Sequence, residues 1–176
     1  MTNSPSISIA ETERLSLRRF TFEDAAFMLE LMNTPAWLLY IGDRGVDTLE
    51  KAREYLLNGA MKSYEQYGYG PFVVCLKTGE GPIGVCGLYN RPTLEDVDIG
   101  FAFLPAYSGQ GYAYEAAAAV MVLARQVFQL ERIVAITLPE NERSIKLLEK
   151  VGLTFEKMIQ LSGDKDTLML YAATYS

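Results

Sequence analysis

The stretch that most limits how this chain can fold runs from Glu95 to Phe128. EDVDIGFAFL (95–104) alternates apolar and polar positions, with Val97, Ile99, Phe101 and Phe103 on one face, and reads as a strand. After PAYSGQ comes GYAYEAAAAVMVLARQVF (111–128), a helix with so few polar positions that it must be well buried. The rest of the chain supplies what it is buried against. RLSLRRF (14–20), PFVVCLK (71–77), IGVCGLY (83–89) and ERIVAITL (131–138) read as strands, with TGEGP a hairpin turn between the second and third. LTFEKMIQL and TLMLYAATY form a last strand pair around SGDKD.

Helices are expected over 21–33, capped by Thr21, over 47–68 with a bend at Asn58-Gly59, and over 141–152. The last of these starts on Asn141 and stops at Gly152. Leu38 to Val46 reads as a loop. The order is strand, two helices, three strands, helix, strand, helix, two strands. That is one mixed α/β domain over residues 1–176.

Composition removes several classes of chemistry. The 176 residues include no histidine, which rules out Ser-His-Asp and Cys-His nucleophiles and HExxH or Cys/His zinc sites within the chain. No GxxxxGK[ST] sequence occurs, and no metal is expected. The net charge of −6, without a Lys/Arg block, argues against nucleic acid. No apolar run approaches bilayer length and no signal peptide is visible, so a cytoplasmic protein with reduced Cys75 and Cys86 is expected.

SGQGYA (108–113) lies between the alternating strand and the buried helix. A helix N-terminus offers unpaired N–H groups and partial positive charge, and glycines allow an anion close to backbone. The segment therefore reads either as a phosphate cradle or as a plain glycine turn. A dinucleotide fingerprint is rejected, because Tyr114 stands where its third glycine belongs.

The wider segment IGFAFLPAYSGQGYAYEAA resembles the acyl-CoA motif of the GCN5-related N-acetyltransferases, whose core is Gln/Arg-x-x-Gly-x-Gly/Ala. ETERLSLRRFTFEDAAFMLELMN resembles the opening of their RimJ/RimL-like branch, and LPENERSIKLLEKVGLTFE a later motif of the family. The resemblance implies a mostly antiparallel mixed sheet of about seven strands with about four helices, splayed where acetyl-CoA binds. It implies that backbone groups of Phe101, Ala102, Phe103 and Leu104 bind pantetheine. It assigns the pyrophosphate to Gly109, Gln110, Gly111, Tyr112 and Ala113, with Ser108 standing where Gln or Arg is usual.

By the same resemblance Asn141 touches the pantetheine or phosphate arm, beside its own role as helix cap. Ser144 is a candidate acid at the thioester sulfur, or a solvated helix residue. Asp98, in VDIG, is a candidate base for the acceptor ammonium, or a solvent-facing strand residue. Trp37, Leu38 and Tyr40 fall in the segment that resembles the substrate-side loop, and packing beneath that loop is the alternative. The implied activity is acetyl transfer from acetyl-CoA to a primary amine, on a protein N-terminus or a small molecule. A regulatory module that binds acyl-CoA without turnover is the competing reading. A homodimer is possible.

Overall fold

The computed structural model describes residues 8–175. In chain order the elements are β1 (Ser8–Glu11), β2 (Leu15–Arg19), α1 (Ala25–Met32), α2 (Pro35–Tyr40), α3 (Leu49–Leu56), α4 (Lys62–Tyr67), β3 (Pro71–Leu76), β4 (Pro82–Tyr89) and β5 (Asp98–Phe103). Then follow α5 (Tyr112–Gln126), β6 (Arg132–Thr137), α6 (Glu142–Lys150), β7 (Thr154–Ile159) and β8 (Leu168–Thr174). The strands form one sheet in the order β1-β2-β3-β4-β5-β6-β8-β7, antiparallel everywhere except between β5 and β6.

Two expectations need correction. The described residues hold eight strands, because the short β1 pairs with β2 and has too little alternating apolar character to be visible in sequence. The segment read as a loop from Leu38 begins as helix. Thr34 caps α2 by accepting from the Trp37 N–H at 3.4 Å, and Pro35 occupies the first helical position. That cap-plus-proline start outweighs the shortness of the helix. Asn58-Gly59 does alter its helix: α3 and α4 are joined through one π-helical segment, Leu57–Met61.

Directly paired strand residues point to one face of a sheet. Asp98 pairs with Tyr89, Gly100 with Gly87 and Ala102 with Val85, so these share a face; Ile99, Phe101 and Phe103 share the other. Across the crossover, Ile133 and Ala135 join the main core with Ala117, Val120 and Leu148 of α5 and α6. Val134, the partner of Asp98, instead joins a small separate cluster with Leu94, Leu170 and Ala172. Asp98 therefore faces away from α5. Cys75 and Cys86 are both free thiols.

Candidate functional site

β5 is bonded very differently on its two sides. Toward β4 it is paired over its whole length, from Tyr89↔Asp98 to Gly84↔Phe103. Toward β6 it has one register partner, Asp98↔Val134, reinforced by the Val134 N–H donating to the Val97 carbonyl at 3.0 Å. Beyond that point the two parallel strands diverge. The Leu104 N–H donates to the Ile83 carbonyl at 2.9 Å, and antiparallel alternation then turns the peptide groups of Ala102 and Gly100 to β4 as well. Phe101 and Phe103 carry the peptide groups that face the gap. Of the four residues expected to line it, these two have free edges.

Two helices begin at the open end. α5 follows β5 and α6 follows β6, so both N-termini lie beyond the carboxyl ends of diverging parallel strands, where open sheets commonly place ligands. Gly111 is the N-cap of α5 at φ +84°, and Gly109 has φ +76°, a left-handed conformation costly for other residues. A glycine cap supplies no side-chain acceptor, so the first N–H groups of α5, at Tyr112 and Ala113, stay available for an anion. Ser108 and Gln110 are exposed beside them, and the Gln110 Nε2 donates to the Ala106 carbonyl at 3.0 Å. At the second helix the Asn141 side chain accepts from the Ser144 N–H at 3.3 Å, which is the expected cap. Ser144 is half-buried.

At the closed end the solvent-facing alternative for Asp98 fails. It is 1% exposed, and Arg91 donates one Nε–H to both of its oxygens at 3.1 Å. Burial raises the Asp98 carboxyl and Arg91 pulls it back; burial wins, leaving its pKa raised to about 6. Arg91 also lies over the Tyr89 ring, 5.3 Å from its centroid. Tyr89 in turn lies over Gly100, where an added Cβ would come within 2.9 Å of the ring. The glycine of VDIG thus admits the tyrosine that neighbours Asp98. Tyr55 of α3 completes the group, its hydroxyl feeling both Arg91 and Arg44.

The three residues expected at the substrate side divide. Trp37 is 6% exposed and packs in the core, with an Nε1 that has no acceptor among the described residues. Leu38 and Tyr40 are exposed on α2, beside Leu39 and Ile41.

Sequence reasoning missed two sets of residues. One is Arg91, Tyr89 and Tyr55, brought to Asp98 by the 91–97 connection, by the β4–β5 register and by α3; the strand and the helix are readable in the sequence, but not which of their side chains meet. The other lies within TERL. The Thr12 hydroxyl and the Arg14 Nε both donate to the Glu115 carboxylate of α5, at 2.8 and 3.1 Å. Arg14 Nη1 donates to the Gln110 carbonyl at 3.0 Å, and its guanidinium lies 4.3 Å from the Tyr112 ring centroid. The β1–β2 turn therefore braces the glycine loop. A cleft of about 440 Å³ opens on that flank, lined by Glu13, Arg14, Lys77, Glu80, Tyr107 and Gln110 among others.

The chain is similar in sequence and fold to known proteins. A family model described as an acetyltransferase (GNAT) domain matches residues 14–154. YnaD of Bacillus subtilis, described as an uncharacterized N-acetyltransferase, is 31% identical over 145 residues, 82% of each chain. A GNAT-family acetyltransferase from Bacillus anthracis superposes with TM-score 0.76 at 27% identity, covering 97% of this chain and 98% of that one. RimL, a ribosomal L7/L12 alpha-N-protein acetyltransferase crystallised with coenzyme A, superposes with TM-score 0.79 at 20% identity, covering 96% and 98%.

Proposed function

This chain belongs to the GNAT acetyltransferases, which are acetyl-CoA-dependent, and on that premise we propose that it acetylates a primary amine, on a peptide N-terminus or a small molecule. The observation that carries the reading is the divergence of β5 from β6 after Asp98, with a glycine-capped helix at its open end. From Asp98 to Leu104 the strand rises roughly 20 Å at about 3.3 Å per residue, a length suited to an extended pantetheine arm.

Acetyl-CoA supplies an activated acyl group on a thiol, whose thiolate is a far better leaving group than an alkoxide or an amide ion. The chain's own residues position it. Phe101 and Phe103 hold the pantetheine amides with gap-facing peptide groups, and the backbone of Gly109 to Ala113 holds the pyrophosphate. Asn141 keeps the α6 N-terminus beside the arm, and Ser144 on its first turn donates a proton toward the departing sulfur. Ser108 contributes backbone; its short side chain adds no cation.

Asp98 takes the proton from the acceptor ammonium, directly or through one water. An amine must lose that proton before it can attack, and a carboxyl raised to about 6 is a better base than an ordinary aspartate while still ionised at pH 7. Leu38 and Tyr40 border the acceptor side, with Trp37 as packing beneath them.

Acetyl-CoA should raise the melting temperature, because a ligand bound only by the folded state stabilises it. An amine panel that includes short peptides should then release free CoA. A thermal shift without CoA release from any amine would favour a binding module over an enzyme.

A further inference from the structure

We propose that the acceptor carries a carboxylate close to its reactive nitrogen, and that the outer edge of Arg91 binds it. This rests on the acetyl-transfer reading and narrows its substrate class. The starting point is how Arg91 is used. One Nε–H serves both Asp98 oxygens, while Nη1 and Nη2 have no acceptor among the described residues. The Arg91 side chain is one-third exposed although Asp98 beneath it is buried. A buried carboxylate thus lies under a guanidinium that spends only its Nε–H on it and leaves the wider, two-nitrogen edge without a protein acceptor among the described residues.

That edge has the fork geometry that binds a carboxylate with two parallel hydrogen bonds. The plane of the fork is held by the Tyr89 ring beneath it. The remaining charge around it has the same sense. Tyr55 packs next to this group from α3, and the cations acting on its hydroxyl are Arg44 and Arg91. Arg44 is exposed, in the connection before α3. Two guanidiniums and one carboxylate therefore set the field around this group, on a chain whose net charge is −6.

A zwitterionic acceptor satisfies both partners. Its ammonium lies toward Asp98 and its carboxylate lies on Arg91, so one guanidinium fixes both ends of the recognition. A polyamine would put a second cation against the open Nη edge, and an uncharged amine would leave that edge to water. Free amino acids and peptides beginning with Asp or Glu share the required chemistry.

The test uses the purified full chain with acetyl-CoA, reading CoA release as kcat/KM. Free amino acids are compared with their amides, and peptides beginning with Asp or Glu with those beginning with Asn or Gln. The proposal expects at least one carboxylate-bearing member to exceed its neutral partner by about tenfold or more, the scale of a charged hydrogen bond. Which pair shows it identifies the source. In Arg91→Gln both members slow, because Asp98 loses its partner, but their ratio should fall toward one. Arg91→Lys should keep part of the preference.

Equal rates within every wild-type pair would overturn the proposal while leaving acetyl transfer intact, and that arm requires no variant to fold. A ratio unchanged in Arg91→Gln would also overturn it. The absence of CoA release with every acceptor tried, despite acetyl-CoA binding, would remove the underlying reading together with this one.

Discussion

The two flanks of β5 differ sharply in their pairing, and on the function proposed above one serves as scaffold and the other as binding surface. On the β4 flank every residue is paired, and in β4 and β5 three glycines stand where an added side chain would collide with a neighbour. An added Cβ would lie 2.7 Å from the Ala102 oxygen at Gly84, 2.9 Å from the Tyr89 ring at Gly100 and, where β4 meets the start of β3, 2.3 Å from the Gly70 carbonyl oxygen at Gly87. On the β6 flank the pairing stops after Asp98, and the glycines that follow, Gly109 and Gly111, are present for their left-handed backbone rather than for close packing. Damage to the first flank should appear as lost stability, and damage to the second as lost affinity or rate.

The largest expected effect is at Asp98, where the flanks meet. Asp98→Asn should lower kcat by about 100-fold or more at pH 7, the usual worth of a positioned base. The deficit should narrow at high pH, where the acceptor loses its proton without help. In the wild type, kcat/KM should fall on acidification through a limb near 6, because the carboxyl there becomes protonated. The variant should lack that limb, and equal rate deficits at pH 7 and pH 10 would remove Asp98 as the base. Stability runs the opposite way. A carboxyl raised in the folded state contributes stability that is full below its ordinary pKa and is lost as pH rises through about 6.

Next comes the closed flank. Gly87→Ala forces a methyl group against backbone, an overpacking of about 2 kcal/mol, and should lower Tm by roughly 4–8 °C in a chain of this size. Acetyl-CoA affinity of the surviving folded protein should change little. On the open flank Gly111→Ala places a side chain at φ +84° and 3.2 Å from Arg14 Nη2. The strain is about 1–2 kcal/mol, and the KM for acetyl-CoA should rise by up to about tenfold. If Gly111→Ala lost stability alone and Gly87→Ala lost affinity alone, the contrast between the flanks would be reversed. The smallest effect is expected at Asn141→Ala, about 1 kcal/mol from the lost cap, measurable by chemical denaturation.

Much of this division was legible in the sequence because it is written in short-range patterns. The alternation of 95–104, the glycines of SGQG and the Asn141 cap each declare a local conformation, and each forms as expected. What the sequence hides is long-range. Arg91 and Asp98 are partners because a connection folds back on its own strand, and Arg14 reaches Gln110 and Glu115 from ninety-six and a hundred and one residues away. No periodicity carries such contacts. α2 escaped for a different reason: six residues are too few to show a helical repeat, although Thr34-Pro35 announced the start. Trp37 shows the limit of reading aromatics in a presumed loop, since burial in the core and a place at a pocket lip leave the same sequence mark.

The most direct measurement is residue-resolved amide hydrogen exchange along β5, with and without saturating acetyl-CoA. Leu104 and Ala102, bonded toward β4, should be protected in both states. Phe101 and Phe103 should exchange rapidly alone and become protected when acetyl-CoA is added. Phe101 and Phe103 already protected in the free protein, or unchanged by acetyl-CoA, would contradict the claim that the open flank of β5 is the acyl-CoA site.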